Sequence, residues 1–283
     1  MKLAAQADFY IEKFGPKEGT KKLKEIGYQN IVYTITPQTF AKFSDDDFCL
    51  NRSEIEKAGM QMTFAICGKE LYLDHAPHEF EGRKQMCIKA LKAAALMGCS
   101  VLGVRPLAFR NSTPNAWEES KRLTYELYSE VREEADKLGV KLAFFNNTKQ
   151  PCFSSGTYSY GCRASELLEL AKNFDSGIII DPAYALKAGE RVEELLTETK
   201  DKLLGFCISD MAQREMTQAL PMFGSVDYQG LIHFFQDYES DAAVVMMYTP
   251  IMNRYSDFVS NQELISSITR TYLKVARLIE GKE

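Results

Sequence analysis

Two hydrophobic patterns alternate along this chain. Short runs of β-branched and other apolar residues give way to longer stretches in which apolar residues return every three or four positions, the signatures of buried strands and amphipathic helices. The runs predict strands at Lys2–Ala7, Asn30–Ile35, Gln61–Ile66, Val101–Arg105, Val140–Phe145, Gly177–Asp181, Leu203–Ser209 and Ala242–Met247. The helical spacing predicts helices at Lys17–Ile26, Arg52–Ala58, Glu79–Met97, Pro114–Leu138, Ala164–Asn173, Glu190–Lys200, Val226–Gln236 and Gln262–Ile279. Ser44–Asp47 reads as a helix cap or an exposed loop, and Asn147–Gly161 as a loop rich in Ser, Gly and Tyr.

The order helix, glycine, apolar strand returns at Gly27, Gly59, Gly98 and Gly139, at intervals of 32, 39 and 41 residues. Each interval is the length of one βα unit. Alternation of this kind predicts a parallel sheet with right-handed crossovers. Eight units in one chain suit a closed (β/α)8 TIM barrel, a single α/β domain over residues 1–283. A doubly wound open sheet is the alternative. It is disfavoured by the lack of a Gly-x-Gly-x-x-Gly turn after the first strand.

Composition narrows the function more than the fold. Of 283 residues, 45% are hydrophobic and 26% charged, enough apolar material for a large core. The net charge of −5 argues against a nucleic-acid partner, for which a basic face is expected. Seven cysteines form no Cys-x-x-Cys pair, which suggests reduced thiols and a cytoplasmic location. The first residues lack the apolar region of a signal peptide, and no window of about 18 apolar residues predicts a membrane span. The expected partner is a small molecule; a homo-oligomer is compatible with all of this.

In a barrel the active face gathers the residues that close each strand. These are Asp8, His75 and His78, Arg105, Asn146 and Asn147, Asp181 with Tyr184, Cys207 with Asp210, and Met246, Met247 and Tyr248. The triplet Ile178-Ile179-Ile180 ends on Asp181, and Pro182 stops the strand there. Asp181 therefore stands where chemistry would be done.

In sequence order, several stretches resemble the xylose isomerase-like barrels, a superfamily of sugar and sugar-phosphate isomerases and epimerases. They are Leu73-Asp74-His75-Ala76-Pro77, Ala94-Ala95-Leu96-Met97-Gly98-Cys99, Arg105-Pro106 and Leu142-Ala143-Phe144-Phe145-Asn146-Asn147. Ile180-Asp181, Cys207-Ile208-Ser209-Asp210 and Met222-Phe223-Gly224-Ser225-Val226-Asp227-Tyr228 complete the set. The resemblance implies one divalent cation, Mn²⁺, Mg²⁺ or Zn²⁺, held by Glu, Asp, His and Glu from strands five to eight. The two glutamates would move a proton next to a carbonyl that the metal polarises.

This chain departs from that ligand set. Its family positions read Asn146, Asp181, Cys207 and Met246 or Met247, with Tyr184 in place of the histidine of Asp-x-x-His. An amide has no basic site, and methionine is a poor ligand for a hard cation. No metal cofactor is therefore expected, and the glutamate mechanism is expected to be lost with it. Asp181, Cys207 and His75 remain as candidate catalytic groups. Arg105, Asn146, Asn147, Tyr184, His78 and Lys149 are candidate ligand contacts, and Arg105 with Lys149, His75 and Arg110 suggests a ligand that carries a phosphate or carboxylate.

Each candidate has a plainer alternative. Asp181 could be a carboxylate fixed by backbone donors, and Cys207 a small hydrophobe. Arg105 could pair internally with Asp74 or Asp181. Phe153, Tyr158 and Tyr160 could form a lid or an ordinary surface loop, and His233 reads as a helix-face residue. Two functions follow: a sugar isomerase or epimerase without the metal, or a non-catalytic protein that binds a carbohydrate or related metabolite or serves an interaction.

Overall fold

The computed structural model describes residues 2–68, 72–73, 77–109, 115–148, 159–212, 217–219, 224–238, 241–247 and 261–279. Eight parallel strands form a closed barrel. They are β1 (Lys2–Gln6), β2 (Asn30–Ile35), β3 (Gln61–Cys67), β4 (Val101–Val104), β5 (Lys141–Phe145), β6 (Gly177–Ile180), β7 (Leu203–Ile208) and β8 (Ala243–Met246). Their order around the barrel is their order in sequence, and β8 closes on β1 through the register Lys2↔Ala243 to Ala5↔Met246. That closure decides against an open sheet.

The expected helices are present with shifted ends. Ser44 is the N-cap of a helix running Asp45–Lys57, where the sequence suggested a start at Arg52. Its hydroxyl accepts from the Asp47 amide while the Asp47 carboxylate accepts from the Ser44 amide, a reciprocal cap that decides between the two readings of Ser44–Asp47. Short helices at Asp8–Phe14, Pro37–Lys42 and Pro182–Ala188 were not anticipated, being too brief to show a period. Among the described residues no helix is long and apolar enough to cross a membrane.

Side chains alternate across each strand, so the pairing register sorts inward from outward positions. A Cβ added to Gly205 on β7 would lie 2.8 Å from Phe64 on β3, a strand on the far side of the barrel. Gly205 and Phe64 therefore face inward. One added to Gly103 on β4 would lie 2.6 Å from Phe145 and 3.0 Å from Ile179. The two glycines make room for large side chains from other strands, and the Phe64 and Phe145 rings meet edge-on at 6.5 Å in the interior. Two residues further along, the same parity brings Arg105, Asp181 and Cys207 to the carboxyl end of the barrel. Val245 pairs with Cys207 and Met246 with Ile208. Met247 consequently faces the mouth, while Met246 is fully buried on the outer side of the sheet.

Candidate functional site

Asp181 lies at the mouth, directly after β6, with a relative exposure of 1%. It caps the helix Pro182–Ala188, and its Oδ1 accepts from the amides of Ala183 (3.1 Å) and Tyr184 (3.5 Å). The same oxygen accepts from the Ser209 hydroxyl at 2.6 Å. Its Oδ2 accepts from Arg105 Nη2 at 3.1 Å. Both carboxylate oxygens are thus engaged by the protein.

Arg105, just past the end of β4, reaches across to two neighbouring strands. Nη1 donates to the Asn146 carbonyl at 2.7 Å, while Nη2 donates to Asp181. The guanidinium lies 3.7 Å from the centre of the Tyr184 ring and 4.6 Å from that of Phe145, between two aromatic groups. Burial works against its charge, but the fields of Tyr184 and Asp181 prevail and hold its pKa above the ordinary value. Behind it, the Tyr128 hydroxyl donates to the Arg105 carbonyl at 2.5 Å.

Asn146 ties β5 to β6. Its Oδ1 accepts from the Asp181 amide at 2.6 Å, and its Nδ2 donates to the Asp181 carbonyl at 3.0 Å. The residue that projects inward at the end of β5 is Phe145, not Asn146, because Phe145 pairs in register with the inward-facing Ile179. Asn147 is also engaged locally: its side-chain amide donates to the carbonyls of Pro106 and Tyr160, each at 3.2 Å.

Cys207 is fully buried, and burial first, then the field of Asp181, pushes its thiol well above the usual range. A thiolate nucleophile needs the opposite environment. Asp210 fixes the loop that leaves β7. Its Oδ1 accepts from the amides of Met211 (2.8 Å) and Val226 (3.0 Å), and its Oδ2 from that of Gly224 (2.8 Å). Nearby, the Tyr228 hydroxyl donates to the Ser209 carbonyl.

Two site residues escaped the sequence reading. Ser209 followed Cys207 as an unremarkable hydroxyl, and only the β6–β7 pairing brings it to Asp181. Lys187 lies on the helix that Asp181 caps, one turn beyond Tyr184. It is half-buried, has no hydrogen-bond or ion-pair partner among the described residues, and burial lowers its pKa. The signal available was the spacing from Tyr184 to Lys187, which puts both on one helix face.

Of the other sequence candidates, His75, Lys149, Arg110, Phe153, Tyr158 and Tyr248 lie outside the described residues. His78 falls within the helix Pro77–Leu96, but its side chain is not described. Tyr160 is no lid. It is buried edge-on against Trp117, 5.6 Å between ring centres, with its hydroxyl donating to Glu169. His233 is exposed on the helix Tyr228–Asp237, as a residue of the helix face would be.

These residues do not fit a divalent metal. The guanidinium already stands beside Asp181 as its counter-cation, and Asn146 gives both side-chain atoms to the backbone of residue 181. Phe145 has no donor atom, Met247 has only a soft sulfur, and Cys207 is held as a thiol. The described residues contain no group of three or more His, Cys, Asp or Glu side chains placed to hold a metal ion.

No protein-family model matches the chain. No curated protein matches it either. Among solved structures it is similar to the D-psicose 3-epimerase of Clostridium cellulolyticum H10 crystallised with D-tagatose, with 13% identity, 99% of each chain covered and a TM-score of 0.71. It is similar to the IolI protein with a bound zinc atom, with 16% identity, 100% and 99% covered and a TM-score of 0.71. A third is L-ribulose 3-epimerase, with 10% identity, 100% and 96% covered and a TM-score of 0.72. Sequence pattern, barrel closure and these likenesses agree that the chain has the fold of the xylose isomerase-like TIM barrels.

Proposed function

We propose that this protein binds a sugar or sugar-like metabolite at the carboxyl end of its barrel without a divalent metal, and that it has given up proton transfer by paired glutamates. One observation carries the reading: the Arg105 guanidinium, held by Asp181 and the Asn146 carbonyl, takes the place of a bound cation. An epimerase needs a base beside the substrate's carbonyl-bearing carbon and a group that polarises the carbonyl. Asp181 is engaged on both oxygens, Cys207 is held as a thiol, and Phe145 and Met247 carry no proton acceptor. The arrangement retains hydrogen-bonding capacity for a ligand. Arg105 has five N–H groups, of which two have partners among the described residues. The Tyr184 ring beside it offers an apolar face for C–H groups.

That several structural neighbours are sugar 3-epimerases supports a sugar-like ligand over other small molecules. A phosphate or carboxylate on that ligand has less support than a neutral polyol, because Asp181 already neutralises Arg105. The net charge of −5 supports a partner other than nucleic acid. The test combines calorimetry with proton NMR in deuterium oxide, using D-psicose, D-tagatose, D-fructose and L-ribulose. Binding without loss of the proton next to the carbonyl is expected. Protein-dependent exchange of that proton for deuterium in any of the four would overturn the reading.

A further inference from the structure

Away from the mouth, the structure brings two cysteines together. Phe64 and Ile66 face the barrel interior, so Cys67, the last residue of β3, faces outward onto the helix Pro77–Leu96. Cys87 on that helix meets it, with 3.9 Å between the two sulfurs. Cys67 is partly exposed and Cys87 is 5% exposed, so Cys67 is the less covered residue of the pair.

We propose that Cys67 and Cys87 form a reversible redox modification site, closing to a disulfide on exposure to a low-molecular-weight disulfide such as oxidised glutathione. The sulfurs need to approach from 3.9 Å to about 2.0 Å, a movement that side-chain rotation on two residues can share. The Cys67 thiolate attacks one sulfur of glutathione disulfide and expels one glutathione thiolate. The Cys87 thiolate then attacks the Cys67 sulfur of the mixed disulfide and expels the second. The cysteines lose two protons and two electrons between them, and glutathione disulfide is reduced to two glutathione molecules.

The surroundings set the pace of this chemistry. The hydrogen bond with Cys87, then burial, raises the Cys67 thiol, while Arg83 opposes the rise, so the reduced pair reacts slowly near neutral pH and faster as pH increases. The Tyr128 hydroxyl lies against Cys87 and also donates to the Arg105 carbonyl.

Peptide mapping tests the proposal. The full-length protein is incubated with oxidised glutathione across a series of pH values, free thiols are blocked with N-ethylmaleimide, and trypsin is added. The cysteines fall in separate peptides, residues 58–69 and 85–89. A cross-linked pair of these peptides is expected, reversible by dithiothreitol, forming faster at higher pH and absent from C87S. Recovery of both peptides as maleimide adducts, under conditions that convert the exposed Cys49 to its glutathione adduct, would overturn the proposal. Should C87S fail to fold, dithiothreitol reversal and the pH dependence in the natural protein provide the same decision.

Discussion

Arg105 Nη2 donates to Asp181 Oδ2 across 3.1 Å, and neither side chain exposes more than 11% of its surface. A buried pair of this kind adds little over an apolar pair of equal volume, but removing one partner strands the other. Arg105→Ala should therefore destabilise the protein by roughly 3–5 kcal/mol. Arg105→Met with Asp181→Asn should lose much less than the two single changes added together. Urea unfolding of the four proteins measures the coupling; additive losses would show that the pair does not act as a unit.

Because Arg105 is proposed to stand in for a bound cation, metal affinity should be low. Protein prepared without chelator should carry no stoichiometric divalent cation, and added Mn²⁺ should leave the thermal midpoint unchanged. Replacing Phe145 and Met247 by glutamate while changing Arg105 to alanine returns two carboxylates to inward positions and removes the resident cation. That triple variant should gain Mn²⁺-dependent stabilisation, since a ligand that binds only the folded state raises its stability. Elemental analysis and thermal melts decide both points.

Asp210 receives three backbone amides while fully buried. Asp210→Ala leaves those donors without an acceptor and should cost roughly 2–4 kcal/mol, with Asp210→Asn intermediate. Gly224→Ala attacks the same knot from the other side, because its Cβ would fall 2.2 Å from Asp210 Oδ1. Hydrogen exchange at Met211, Gly224 and Val226 should accelerate in all three variants before exchange in β7 does.

Lys187 should titrate below an ordinary lysine, because burial disfavours its charged form and the field of Asp181 only partly compensates. The unfolded chain then holds more protons at this residue than the folded one between the folded and unfolded pKa values. Stability contributed here therefore rises with pH through that window. Reductive ¹³C-methylation with NMR titration reads the pKa directly. Lys187→Met should abolish this part of the pH dependence, and a lysine titrating at its ordinary value would contradict the expectation.

How much of this was legible in the sequence divides along physical lines. The eight strands were readable because buried parallel strands are apolar without interruption, and glycine marks the preceding helix ends: Gly27, Gly98 and Gly139 all have positive φ. Asp181 was readable because a carboxylate directly after three isoleucines must close a strand. Which neighbour of a doublet faces inward was not readable. Phe145 against Asn146, and Met246 against Met247, are set by pairing with β6 and β7, information held elsewhere in the chain. The partner of Arg105 was likewise open between Asp74, which lies outside the described residues, and Asp181, which the structure brings to it. The short helix carrying Tyr184 and Lys187 was missed because seven residues show no reliable period.

The absent side chains of Gly103 and Gly205 have one last consequence. By admitting Phe64, Phe145 and Ile179 to the axis, they stopper the barrel directly beneath Arg105 and Asp181. The floor under the mouth is therefore apolar, and polar contacts to a guest have to come from the rim, where Arg105 and Asp181 stand.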